Sequence, residues 1–168
     1  MKSQNKSLEE KLFSSLSKRR DPRDTEILFE QYKLYVELMD KISERRIQAN
    51  SFFLTVNTLL VTALTTILSL ADLSDIQYRW MILASLGGII FSYTWRRLIQ
   101  SYKELNTGKF RIIHLLETRL PAKLFDAEWD ALNKGDGTVY YPFSHVEMTI
   151  PIIFFIIYSA MIVLLFVT

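Results

Sequence analysis

Apolar and charged blocks alternate along this chain, and their lengths predict its elements. Residues 51–70 read SFFLTVNTLLVTALTTILSL, with no charged residue, Gly or Pro. About 20 such residues are what an α-helix needs to cross the roughly 30 Å hydrocarbon core of a bilayer. A second apolar block, WMILASLGGIIFSYTW, predicts a span over 79–95 and is shorter, with Ile76 and Tyr78 able to extend its outer end. A third covers 148–168 and holds Pro151 in its first turns, where proline is tolerated or introduces a small kink. The pattern predicts an all-α integral membrane protein with three transmembrane helices.

The polar blocks predict helices too. In residues 1–20, Leu8, Leu12, Phe13 and Leu16 fall at helical spacing before Lys18-Arg19-Arg20. This reads either as an amphipathic helix on a lipid surface or as a frayed or docked terminus. Asp21-Pro22-Arg23-Asp24 is a strong helix start, with a capping Asp21, Pro22 at the first helical position and acidic residues at the positive end of the dipole. No breaker follows before Leu70, so residues 21–50 form the extramembrane half of one long helix that continues into the first span. On that half, Leu28, Tyr32, Tyr35, Met39 and Ile42 make an apolar seam at steps of four and three, the pattern of a helix packing against partners. Residues 71–78 form a polar link holding Asp72 and Asp75. Beyond Arg96-Arg97 the second span's helix is expected to run to a stop at Asn106-Thr107-Gly108. A separate amphipathic helix is expected over 109–120, ended by Pro121, and a short one around 126–132. A turn at Gly135-Asp136-Gly137 and a capping box at Ser144-His145-Val146-Glu147 lead into the third span.

Within the spans, particular faces stand out. Ser51, Thr55, Thr58, Thr62, Thr65 and Ser69 place hydroxyls along one face of the first. Lipid offers such a stripe nothing, so either packed protein or a water-filled lumen should lie against it. Hydroxyls that bond the carbonyl one turn back tolerate packing, which favours the first. Asn57 admits the same pair of readings, a pore contact or an interhelical hydrogen bond that sets register, and the second is favoured. Ala84, Gly88 and Ser92, spaced by four in the second span, suit close helix–helix contact. Tyr78 and Trp80 at one end of that span, and Tyr93 and Trp95 at the other, read as interfacial aromatics.

Composition narrows the classes of function. Twenty basic residues face 18 acidic ones for a net charge of +2, too even a balance for nucleic acid to be the main partner. There is no cysteine, so neither a disulfide framework nor a thiolate site exists. Eleven basic residues precede residue 51, one (Arg79) adjoins the 71–78 link, and eight lie between Trp95 and Met148. That asymmetry places the long polar regions, 1–50 and 96–147, in the cytoplasm, with the link and the C-terminus outside. The first apolar block starts too late for a cleaved secretory signal and reads as a retained anchor. No phosphate loop, zinc motif or nucleophile elbow appears. His114 reads as a packed histidine and His145 as part of a helix start. A membrane enzyme would need both to converge with a carboxylate, so no catalytic, metal or cofactor residue is assigned and an enzyme is not expected.

Three stretches carry a family resemblance: QYKLYVELMDKISERRIQANSFFLTVNTLL (31–60), WRRLIQSYKELNTGKFRIIHLLETRLPAKLFDAEW (95–129) and YYPFSHVEMTIP (140–151). The ERR-x-x-ANSFF junction and the SYK-x-LN-x-GKF-x-IH run are its most specific parts. Together they resemble the small bacterial RipA-type octameric inner-membrane proteins. The resemblance implies a homo-octamer with a helical cytoplasmic portion and no established catalytic residues. The layout is also that of two- or three-span effectors of bacterial conflict systems, on organisation alone. The expectation is a bacterial inner-membrane scaffold partnered by lipid, by copies of itself and by an unknown cytoplasmic protein. The alternative is an oligomeric pore or membrane-perturbing effector lined by the hydroxyl stripe.

Overall fold

A computed structural model of the chain describes residues 2–14, 22–69, 74–135 and 143–167, and every regular element among them is helical. The elements are α1 (Lys2–Leu12), α2 (Pro22–Leu68), α3 (Asp75–Glu117), α4 (Leu124–Ala131), a 3-10 turn at Asn133–Gly135, and α5 (Phe143–Val167). The Asp21 cap, Leu70, Asp72, the Asp136–Gly137 part of the expected turn and the side chains of Ser144 and His145 lie outside the described residues.

α2 runs unbroken for 47 residues, because nothing from Pro22 onward interrupts it. α3 corrects the expected stop at Asn106-Thr107-Gly108, since it continues through those residues for 43 in all. A mid-helix glycine costs only about 1 kcal/mol. Past it, Phe110, Ile113 and Leu116 bury against α2, and that packing outweighs the local signal.

The chain divides into two compact units. The first takes the described residues up to Lys41 together with those from Asn106 to 135. Its core joins Leu28, Tyr32 and Met39 of α2 to Ile113 and Leu116 of α3, with Phe13, Phe110 and Phe125 packed on them. Leu28, Tyr32 and Met39 of the predicted seam are therefore occupied within the chain, with Tyr35 half-buried beside them and the Lys109 ammonium 4.3 Å from the Tyr35 ring centroid, whereas Ile42 falls in the second unit. α1 docks by its end: Arg119 lies over the Phe13 ring and 3.5 Å from Glu9.

The second unit takes Ile42–Leu105 and the described residues from 143 onward. Segments of α2, α3 and α5 share its interior: Leu64, Met81, Tyr158, Met161 and Leu165 in one cluster, Phe53, Trp95 and Ile99 in another. Two helices are long and apolar enough to cross a membrane, α2 and the Val146–Val167 part of α5, where three were expected. The apolar block of α3 is too short, because Arg79 on one side and Arg96-Arg97 on the other close it after 16 residues, Trp80 to Trp95. Ser85, Gly88 and Ser92 are buried within the unit. In the two apolar windows only 17% and 22% of the residues are buried inside the chain, unlike a soluble protein's core helix.

Candidate functional site

Three polar constellations sit inside an otherwise apolar interior, and each can be built from its helices. The first lies midway along the apolar part of α2. Asn57 is fully buried and points at α3 and α5. Its Nδ2 donates to the Phe53 carbonyl one turn back at 2.8 Å, which leaves Oδ1 free to accept. The Ser92 hydroxyl of α3 donates to that oxygen at 3.3 Å and the Tyr158 hydroxyl of α5 at 3.0 Å. One amide thus joins all three helices and is satisfied without water, as a buried polar group in an apolar surround must be. Tyr158 reaches it because Gly88 has no side chain: a Cβ there would stand 2.5 Å from the Tyr158 ring. The Ser85 hydroxyl, buried nearby in sequence, has no hydrogen-bond partner among the described residues.

The second constellation lies where the charged half of α2 gives way to its apolar half. Trp95 Nε1 donates to Asn50 Oδ1 at 2.9 Å, and Asn50 Nδ2 donates to Glu147 Oε1 at 2.8 Å. Arg46 Nε stands 3.5 Å from Glu147 Oε2, an ion pair without a hydrogen bond among the described residues. Glu147 is 4% exposed and Trp95 1%. Trp95 is therefore not the interfacial belt residue its position suggested: it stacks on Phe53 with ring centroids 5.7 Å apart. A tryptophan with both an apolar stacking partner and an acceptor for its N–H gains more inside than at a lipid boundary. Tyr93 and Trp80 are exposed, as belt residues would be.

The third belongs to the other unit. Glu117, the last residue of α3, is fully buried and aims its carboxylate at the start of α4. It accepts from the Phe125 N–H at 2.8 Å and the Asp126 N–H at 3.2 Å, serving as a remote cap for a helix whose own Lys123 provides none. The Tyr32 hydroxyl donates to the same carboxylate at 3.1 Å. Burial, with the bond to Glu117 and its charge, pushes the Tyr32 hydroxyl up to about 12. His114 Nδ1 lies 3.9 Å from Glu117 Oε2 and 3.7 Å from Asp126 Oδ1, so one histidine does meet carboxylates. No metal-holding group of three acidic or histidine side chains forms among the described residues.

The sequence-predicted residues separate into inward and outward sets. Asn57, Gly88 and Ser92 point inward, with Ala84 half-buried, and meet other helices of the same chain. Asn57 thus parts from the stripe with which it was grouped. Ser51, Thr55, Thr58, Thr62, Thr65 and Ser69 are exposed. Several of those hydroxyls are satisfied on their own helix: Thr62 donates to the Thr58 carbonyl, Thr65 to Val61 and Ser69 to Thr66, at 2.7–2.9 Å. Glu117 and Tyr158 were missed altogether. Tyr158 sits in a uniformly apolar block, and only the glycine opposite hints at it.

An open depression runs along α2 from Arg23 to Glu37, walled by that helix alone, and it gives a small molecule no enclosure. The constellations hydrogen-bond helices of one chain to one another, and the outer faces of those helices are exposed. Compared with known proteins, residues 29–167 match the octameric membrane protein family (8xMP). No curated protein and no solved structure matches the chain.

Proposed function

The chain belongs to the octameric membrane protein family, and on that premise we propose that it is a non-enzymatic scaffold of the bacterial inner membrane. Eight copies form a ring, and the first unit of each offers its helices to a cytoplasmic protein. The observation that carries this reading is the sorting of polar groups. Asn57, Ser92 and Tyr158 are closed on one another inside, while the outer faces of α2, α3 and α5 stay bare and need lipid or further copies to cover them. Although the 79–95 segment of α3 is less apolar than its neighbours, it packs between two helices able to span. Asn57–Ser92 and Phe53–Trp95 hold it level with α2. A helix paired along a span crosses with it, so the reading is three crossings. The charge asymmetry puts the N-terminus and residues 96–147 in the cytoplasm and the C-terminus outside. Native mass spectrometry from mild detergent tests the assembly. An octamer is expected, and a monomer under all mild conditions removes the reading.

The exposed hydroxyl stripe favours one alternative, an octameric pore or membrane-perturbing effector whose lumen is lined by Thr55, Thr58, Thr62, Thr65 and Ser69. Purified protein in planar bilayers separates the two. The scaffold gives no unitary conductance at any voltage, and discrete openings would establish the pore.

A further inference from the structure

We infer that the ring closes head to tail, with the hydroxyl face of α2 on one copy packed against the Gly87–Thr94 face of α3 on the next, and Glu37 of the first copy opposite Arg111 of the second. The inference rests on the octameric reading and goes beyond it by naming the two mating faces.

Membrane insertion gives every copy the same orientation, so the symmetry axis of a ring must lie along the bilayer normal. Cyclic symmetry of that kind uses heterologous contacts: one patch meets a different patch, and the chain must present both. Rotation about the normal also keeps height, so groups that mate between copies sit level within one copy.

The outer faces of the second unit differ in a way that picks the pair. α5 exposes mostly large apolar side chains, among them Ile153, Ile156, Val163 and Leu164, with Thr149 and Ala160 beside them, a surface suited to lipid. α2 exposes its hydroxyls in two rows of seven-residue spacing, 51-58-65 and 55-62-69. α3 exposes Gly87, Thr94, Ser101 and Gly108, again at steps of seven. A Cβ at Gly87 or Gly108 would meet nothing within 4 Å in the chain itself. A seven-residue repeat of small residues lets left-handed helix pairs approach closely along their length. Counting equal steps from the Asn57–Ser92 bond, Thr62 is level with Gly87 and Thr55 with Thr94.

The charges of the first unit give the independent support. Outward from its buried face, α2 carries Glu26, Glu30 and Glu37, all exposed, with Lys33 in the same row paired to Glu30 at 2.7 Å, which leaves Glu26 and Glu37 as the uncompensated acids there among the described residues. The exposed charges from Gly108 to Arg119 are Arg111 and Arg119, both basic. Counting from the Tyr32–Glu117 bond, Glu37 is level with Arg111 to within one residue. Neither Glu37 nor Arg111 makes an ion pair within the described residues of its own chain. An unpaired acid on one face and an unpaired base on the other, at the same height, attract only when unlike faces meet, and they repel when like faces meet.

The chain has no cysteine, so a disulfide test has no background. Thr62→Cys and Gly87→Cys are made separately, and both positions have room for the new side chain. Each octamer is oxidised alone and after co-expression of the two variants, with Glu37→Cys and Arg111→Cys as an aqueous second pair. The expected result is no crosslink in any single variant and a dimer in each co-expressed pair. The Thr62→Cys/Gly87→Cys double variant should give a ladder rising to eight copies. Crosslinking of Thr62→Cys alone would put the stripe on an axis or an isologous contact and overturn the inference, as would intact octamers with no crosslink in either pair. Native mass spectrometry of the same samples separates the failures: loss of the octamer in unsubstituted protein sinks the assembly reading, whereas an uncrosslinked octamer sinks only this contact. Glu37→Arg should reduce the octamer fraction at low salt and Glu37→Arg/Arg111→Glu should restore it.

Discussion

Replacing Gly88 by alanine adds one methyl group and tests how the three helices of the second unit are held. Its Cβ would lie 2.5, 2.6 and 2.7 Å from three atoms of the Tyr158 ring. An ordinary carbon contact is about 3.5 Å or more, so the ring must withdraw by about 1 Å. Tyr158 is fully buried and its hydroxyl is tied to Asn57 Oδ1, so it has no free space to swing into. Overpacking of that kind costs about 1–3 kcal/mol, and stretching the Tyr158–Asn57 bond adds about 1 kcal/mol. For a chain of this size a loss of about 2–4 kcal/mol lowers the melting temperature by roughly 4–16 °C. Thermal unfolding in detergent, followed by far-ultraviolet circular dichroism, reads it. The same substitution in a Tyr158→Leu background should cost under about 1 kcal/mol, because the clashing ring is gone. Gly87→Ala, one residue away in open space, should leave the chain's own stability within about 1 kcal/mol and act on assembly instead. If Gly88→Ala melts with the unsubstituted protein, or costs the same with and without the Tyr158 ring, the close approach of α3 and α5 described above is wrong.

Three further outcomes follow from the polar constellations. Asn57→Leu removes the acceptor of both Ser92 and Tyr158 and should cost about 1–2 kcal/mol in a thermal or detergent titration, without loss of helix content; an unchanged midpoint would show that the amide does not join the helices. Glu147→Ala leaves Arg46 uncompensated and Asn50 short of an acceptor, for about 3 kcal/mol, whereas Glu147→Gln keeps an acceptor and should retain about half of that; equal losses would argue that the charge, not the hydrogen bond, matters. The Tyr32 hydroxyl, raised from 10.0 to about 12, is held protonated in the folded state, so its share of stability is whole below pH 10 and is lost as pH climbs through 12. Tyr32→Phe should flatten the stability profile over that interval, and parallel profiles for the two proteins would exclude this origin.

Some of this was legible in the residues. The start of α2 and its unbroken run follow from local chemistry, and of the seam from Leu28 to Ile42 the period places Leu28, Tyr32 and Met39 on a buried face, while Ile42 lies outside that core. Local signals mislead where the decisive partner is far away in the chain. Asn106-Thr107-Gly108 resembles a helix end in isolation, yet the burial of Ile113 and Leu116 against α2 carries the helix past it. Trp95 looks like a boundary residue until Phe53 and Asn50, more than 40 positions earlier, take its ring and its N–H. The hydroxyl stripe was visible, but the separation of Asn57 from it was not, because the period fixes relative angles and not which direction is inside.

The sequence by itself determined that the chain is helical, where its longest helix starts and that it runs unbroken, and which residues share a face. These depend on propensity, periodicity and length, all properties of neighbours in the chain. Only the tertiary structure decided which faces are used up within one copy. The seam and the Ala84-Gly88-Ser92 face meet the chain's own helices, while the hydroxyl stripe and the Gly87 face do not. The physical reason is that burial is a relation between distant segments. A single helix of this kind has two faces of comparable polarity, and only the docking of α3 and α5 on α2 selects the one that stays bare within a copy.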